Sequence, residues 1–213
     1  MAKKLTDEAF GWNGAGQAPD ELLATARQVF GERGFSGARI ADDCRRWPVP
    51  VDKLFVTLWE DHQSAHAAAA STAVARARQT GITDPARLFE TGGRAYLQGS
   101  WHRRDLALLF SSGDAPQGFA AMRQLGRRAW LGRNAKLLRL GDDPEDRLYG
   151  ATLTSLIGRG AREVATAADF RQAQSMIDAV LGYARLLVDE RPRPAHHYAG
   201  LPGVRRLRST LSS

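Results

Sequence analysis

The sequence predicts an all-α fold of about nine helices, and three observations carry that reading. Apolar residues recur at helical spacing: Leu22, Leu23, Ala26, Val29 and Phe30 fall at i, i+1, i+4, i+7 and i+8, on one stripe. Helix-start signals stand ahead of apolar segments. Pro19-Asp20-Glu21, Thr83-Asp84-Pro85 and Asp142-Asp143-Pro144-Glu145 each combine a proline suited to the first turn with acids that favour the positive end of the helix dipole. No alternating apolar run and no hairpin turn pair points to a strand.

Taken in order, residues 1–17 are glycine-rich and aperiodic and read as a flexible arm. The first helix starts at Pro19 and is expected to end at Gly31 and Gly34. A short helix over about 38–46, the break Trp47-Pro48-Val49 and a second short helix over about 50–57 follow. An alanine-rich segment predicts a long helix over about 59–80, closing at Gly81. Further helices are predicted over about 84–100, 102–111, 116–138, 144–164 and 167–189. The last carries Phe170, Ala173, Met176, Ile177, Val180, Leu181, Ala184, Leu187 and Val188 on one broad face, and Arg191-Pro192-Arg193-Pro194 stops it.

Composition narrows the function. At 43% hydrophobic residues, a chain of 213 can fill a core. No run approaches the ~18 apolar residues that would cross a bilayer. No apolar stretch follows Met1-Ala2-Lys3-Lys4, so no secretion signal is read. Cys44 is the only cysteine, which excludes an internal disulfide and a cysteine-rich metal site and suits a reducing, cytoplasmic setting. The +7 formal charge is uneven. Residues 1–66 carry eight Lys/Arg against ten Asp/Glu, whereas 191–213 carry five arginines and no acid. That tail reads as a solvated, mobile end.

Leu22 to Phe35 reads Leu-Leu-Ala-Thr-Ala-Arg-Gln-Val-Phe-Gly-Glu-Arg-Gly-Phe, and this resembles the first helix of the TetR family of transcriptional regulators. The family pattern continues without a gap. Ile40 falls at an apolar position of the second helix, Cys44 at its small buried position, Val49 at the turn valine, and Leu54-Phe55 at the Leu-Tyr pair of the recognition helix. The resemblance implies a helix-turn-helix DNA-binding domain over 18–62, a ligand-binding and dimerisation domain over 63–190, and a mobile basic tail over 191–213.

Several positions depart from the family pattern. Ala38 stands for a capping Thr, Asp43 for an apolar core residue, and Pro48 for the turn glycine. Pro50 stands for a capping Ser/Thr, Asp52 for a small residue, Phe55 for Tyr, Thr57 for His, Leu58 for Phe and Asp61 for Lys. Together they remove donors to the DNA backbone and add acids near it. The residues left to hold DNA are Arg39, Arg45, Arg46, Lys53, Thr57, Lys3 and Lys4. Lys53 and Thr57, four apart, share a helix face suited to a base edge or a phosphate. Trp47, beside the turn, is read first as interhelical packing and second as a wedge against DNA or a partner.

The resemblance places a small-molecule cavity in the larger domain. Aromatic walls with a few polar tips suit such a site, and the candidate lining is Phe89, Tyr96, Trp101, His102, Phe110, Phe119, Met122, Trp130 and Tyr149, with Gln98 and Gln124 as further polar tips. It also implies a two-fold dimer built from the last two long helices through Leu148, Leu156, Ile157, Met176, Val180, Tyr183 and Leu187. Gly150, Gly158 and Gly160 would allow close helix approach there.

His62 and His66, four apart, are a weak metal signal without a third ligand. No nucleophile elbow, phosphate loop or dinucleotide fingerprint is present, so no cofactor or metal is expected and an enzyme is not the reading. The expectation is a ligand-responsive regulator, a repressor, that binds operator DNA as a homodimer and is released by a small apolar or aromatic ligand, with no membrane partner. The departures support an alternative: a dimeric ligand- or protein-binding protein whose head no longer recognises an operator.

Overall fold

A computed structural model describes residues 20–41, 44 and 47–190. Among them the chain is all-helical, with no strand and seven helices rather than about nine. These are α1 (Asp20–Ile40), α2 (Val51–Gln79), α3 (Pro85–His102), α4 (Arg104–Ser111), α5 (Phe119–Leu138), α6 (Pro144–Ala165) and α7 (Phe170–Asp189). No helix of the described residues is long and apolar enough to cross a membrane.

The helix count drops at one place with a local cause, while much of the expected 38–46 helix lies outside the described residues. The expected short helix over 50–57 and long helix over 59–80 form one helix, α2, of 29 residues. No Gly or Pro lies between Val51 and Gln79, so nothing in the sequence stops propagation from one segment into the next. In α1 the helix runs straight through Gly31, and the break falls at Gly34 alone (φ 68°, ψ −180°). The segment that follows reaches Ile40, so the start of the expected 38–46 helix belongs to α1. Cys44 is helical and buried, as expected of it, but Ile40 is 73% exposed and joins no core. Asp43, Arg45 and Arg46 lie outside the described residues.

Two of the three predicted starts are realised by side chains; Pro19 of the remaining one lies outside the described residues. Asp84 accepts from the Arg87 N–H at 2.9 Å and Asp143 from the Asp146 N–H at 2.9 Å, each with a proline in the first turn. Pro50, by contrast, starts α2 without a side-chain cap; its carbonyl accepts from Lys53 and Leu54.

Two main cores result. The first joins α1 and the start of α2 to α4 and the start of α5: Phe30, Phe35, Cys44, Leu54, Phe55, Leu58, Leu106, Phe110 and Phe119 are all buried in it. Phe55 is at its centre, edge-on to Phe30, Phe110 and Phe119 with ring centroids 5.6, 5.2 and 5.0 Å away. This core crosses the expected boundary at residue 62. Trp47 packs against it, in line with the packing reading. The second core joins α3, α6 and α7 through Phe89, Leu97, Leu153, Ile157, Ile177 and Leu181.

α3 is the central helix. Gly92 lies against Val74 of α2, and Gly93 against Ile157 of α6 and Leu181 of α7. Ion pairs tie the surfaces: Arg27 to Asp105 (α1–α4), Arg94 to Asp178 and Arg185 to Glu90 (both α3–α7).

Candidate ligand cavity

A cavity of about 770 Å³ opens between α2, α3, α4, α5 and α6. Its size lies in the ~300–1,000 Å³ range of small-molecule sites. Much of the lining is aromatic: Trp59 from α2, Phe89 and Tyr96 from α3, Phe110 from α4 and Trp130 from α5. α5 and α6 also contribute Arg123, Arg127, Arg133, Arg159 and Arg162 with Asn134, Thr154 and Ser155 to the lining.

The aromatic lining is held by its own contacts. The Trp130 indole N–H donates to Gln63 Oε1 at 3.0 Å, and its ring meets Tyr96 edge-on at 4.8 Å. Burial pushes the Tyr96 phenol up to about 12. The Asn134 amide donates to the Thr154 hydroxyl at 3.0 Å, joining α5 to α6.

His62 and His66 are both buried, with ring centroids 4.2 Å apart. His66 Nδ1 lies 2.8 Å from the His62 carbonyl, an acceptor, so Nδ1 carries the hydrogen and donates. Nε2 is then an acceptor, 3.1 Å from the Ser100 hydroxyl. Burial lowers both imidazoles below the ordinary histidine range, and His62 falls to about 3, with His66 and Arg103 adding to the effect of burial. His62 lines the cavity, and its Nδ1 has no hydrogen-bond partner. No group of three potential metal ligands forms among the described residues.

α5 is the loosest wall. Only its end residues Phe119 and Leu138 are buried, and Gly118 starts it in a left-handed conformation without a side-chain cap. Its anchors are few: Trp130 on Gln63, Asn134 on Thr154, and the Arg123 guanidinium donating to the Phe110 carbonyl at 3.3 Å.

Four expected lining residues meet at the cavity: Phe89, Tyr96, Phe110 and Trp130. The others do not line it, because they are engaged in other packing. Trp101 packs on the second core beneath the Arg104 guanidinium. His102 is exposed and stacks with Phe170 at 6.3 Å. Phe119 and Met122 belong to the first core, and Tyr149 packs on the second. Gln98 is not in the lining, and Gln124 faces a smaller hollow with Arg123 and Arg127. Sequence reading missed Trp59, His62, Gln63, Ser100 and the arginines. The available signal was charge: residues 115–141 hold six Lys/Arg and no acid.

Of the expected DNA-binding residues, Arg39 is exposed at the end of α1, while Lys53 and Thr57 are half-buried in the first turns of α2. Lys3, Lys4, Arg45 and Arg46 lie outside the described residues. Asp61, at the position of a phosphate-neutralising Lys, is ion-paired with Arg103. Of the expected dimer residues, Leu148 and Tyr183 are exposed (69% and 61%), Leu187 is also exposed, and Leu156 and Met176 are half-buried. Ile157 is buried against Gly93 within the chain and is not available to a partner. Gly160 and Gly150 likewise serve internal approaches, to Val180 and to Leu140, so Val180 packs inside the chain; Gly158 faces open space.

Compared with known proteins, the chain matches no family model and no curated protein.

Proposed function

We propose that this chain is a small-molecule receptor of the TetR-like regulator type, in which filling the cavity alters the N-terminal head. The observation that carries this is the continuity of α2. Its first turns hold Lys53 and Thr57, and the same helix supplies Trp59, His62, Gln63, Ala70, Ser71 and Val74 to the cavity. At 1.5 Å per residue it spans about 43 Å. A ligand that shifts or tilts the cavity end of a rigid helix moves its head end as well. As a homodimer, formed through the exposed residues of α6 and α7, the protein would set its two heads in successive major grooves about 34–36 Å apart. A ligand favouring a different head spacing would release the DNA, a population shift driven by differential affinity.

The burial of Leu54, Phe55, Val56 and Leu58 favours a second reading. It leaves no recognition helix independent of α2, so the receptor would act without an operator. Anisotropy of the full-length protein on labelled DNA from upstream of its own gene separates the two. Regulator behaviour requires binding at ~50 mM salt that falls steeply with added salt. Failure of the apo protein to bind at low salt removes the operator and leaves the receptor.

A further inference from the structure

We propose that the cavity selects an amphipathic organic anion, with an apolar ring-bearing body against the aromatic lining and one carboxylate or phosphate head held by the arginines of α5 and α6. The inference deepens the receptor reading and rests on it.

The charge balance of the lining points to this ligand class. Arg123, Arg127, Arg133, Arg159 and Arg162 line the cavity, and no Asp or Glu does. Among the described residues, only Arg159 of these has a carboxylate partner, Glu163 at 3.1 Å. Arginines at other helix contacts are matched: Arg27 with Asp105, Arg94 with Asp178, Arg103 with Asp61 and Arg185 with Glu90. Arg123, Arg127, Arg133 and Arg162 thus bring four cations without a carboxylate partner to one cavity whose lining holds no acid. Guanidinium groups suit such a head, because their planar donor fork binds carboxylate and phosphate in two-point fashion. Arg133 is also steadied by the Trp130 ring, 5.2 Å away.

A second observation is independent of charge. His62 is 5% exposed, lines the cavity, and leaves Nδ1 without a partner. A buried polar atom of this kind is destabilising until something meets it; Nδ1 has no accessible surface of its own, so a polar group on a bound molecule meets it only if the ring turns toward the cavity. An inorganic anion would leave the aromatic lining uncovered. A neutral apolar molecule would leave the arginines unmatched, and a cation would be repelled.

The test uses the full chain and four fluorescent probes sharing one body: 1-pyrenebutanoate, 1-pyrenebutyl phosphate, 1-pyrenebutanol and 1-pyrenebutylammonium. Energy transfer from Trp59 and Trp130 reports binding. At least one anion should bind tenfold or more tighter than the alcohol, and the ammonium most weakly. The better anion identifies the head as carboxylate or phosphate. The triple variant R127Q/R133Q/R162Q should bring the anion affinities down to that of the alcohol measured on the same variant. These side chains lie on the open faces of α5 and α6, and a thermal melt verifies that the variant folds. Equal binding of anion and alcohol by the native chain, or an anion preference that survives the triple substitution, overturns the anion assignment while the receptor reading stands. No binding of any pyrene at tens of micromolar overturns both.

Discussion

Asp114 caps a helical turn to which it does not belong: its carboxylate accepts from the Ser36 backbone N–H at 3.1 Å and from the Ser36 hydroxyl. Ser36 follows the Gly34 break in α1, and Asp114 lies in the loop leading to α5. The helical turn after Gly34 thus takes its cap from a carboxylate 78 residues away from Ser36. The joint links the head to the cavity's loosest wall, and it gives α5 a route to α1 besides α2.

At this joint, Gly34 has a conformation (φ 68°, ψ −180°) essentially confined to glycine, and a Cβ there would lie 2.5 Å from Asp114 Oδ2. Asp114→Ala should cost about 1 kcal/mol, as for a lost helix cap. Gly34→Ala should cost more, about 2–4 kcal/mol, because backbone strain adds to the clash. In the double variant the clash is gone, so the two costs should sum to more than the double measures. Strict additivity in urea melts would show that the two residues do not meet.

The α6–α7 approach is tighter still. A Cβ at Gly160 would stand 2.6 Å from Val180, so Gly160→Ala should destabilise by about 1–3 kcal/mol. Val180→Ala in the same chain should recover part of that loss. A neutral Gly160→Ala would mean that α6 and α7 are further apart.

Histidine burial makes stability depend on pH. His62 falls to about 3 in the folded chain against an unfolded value near 6.5, and His66 is lowered in the same direction. The unfolded chain therefore takes up more protons in acid. Stability from these groups is complete above pH ~6.5 and is lost progressively as pH falls from there toward 3. From His62 alone, pH 5 should cost about 2 kcal/mol relative to pH 7.5. His62→Phe should flatten the profile of unfolding midpoints over that interval, and an unchanged slope would place the proton uptake elsewhere.

Phe55 tests whether the head is a separate unit. It joins Phe30 and Phe35 of α1 to Phe110 of α4 and Phe119 of α5, with no exposed surface. Phe55→Ala should cost about 3–5 kcal/mol. Near-UV circular dichroism and far-UV helix signal should then fall together in one transition. Loss of the head in a separate earlier step would support the boundary expected at residue 62.

How far the sequence speaks depends on which physical signal is local. The all-helical class and the starts of α3 and α6 were legible because a cap is a contact three residues long, as Asp84–Arg87 and Asp143–Asp146 show. The inner face of α7 was legible from period alone: Ala173, Ile177, Leu181 and Ala184 are buried. The uninterrupted α2 was not, because the resemblance suggested a break that no Gly or Pro between residues 51 and 79 enforces. Half of the aromatic lining was misplaced for a related reason. Helical spacing does not tell whether a ring such as Phe119 or Trp101 fills a core or faces a cavity. The arginines of α5 look like a solvated face in sequence, and only the packing of α2, α3 and α6 places them around a hollow.

Hydrogen–deuterium exchange on the full-length protein, with and without saturating 1-pyrenebutanoate, tests most directly whether cavity and head act together. α5, buried only at its ends, should exchange fast without ligand. With ligand, exchange should slow in α5 and in α2 from Trp59 to Val74, and the rates around Gly34 to Ile40 should change as well. Bound ligand that alters neither α5 nor the Gly34–Ile40 segment would contradict a receptor whose cavity reports to its head.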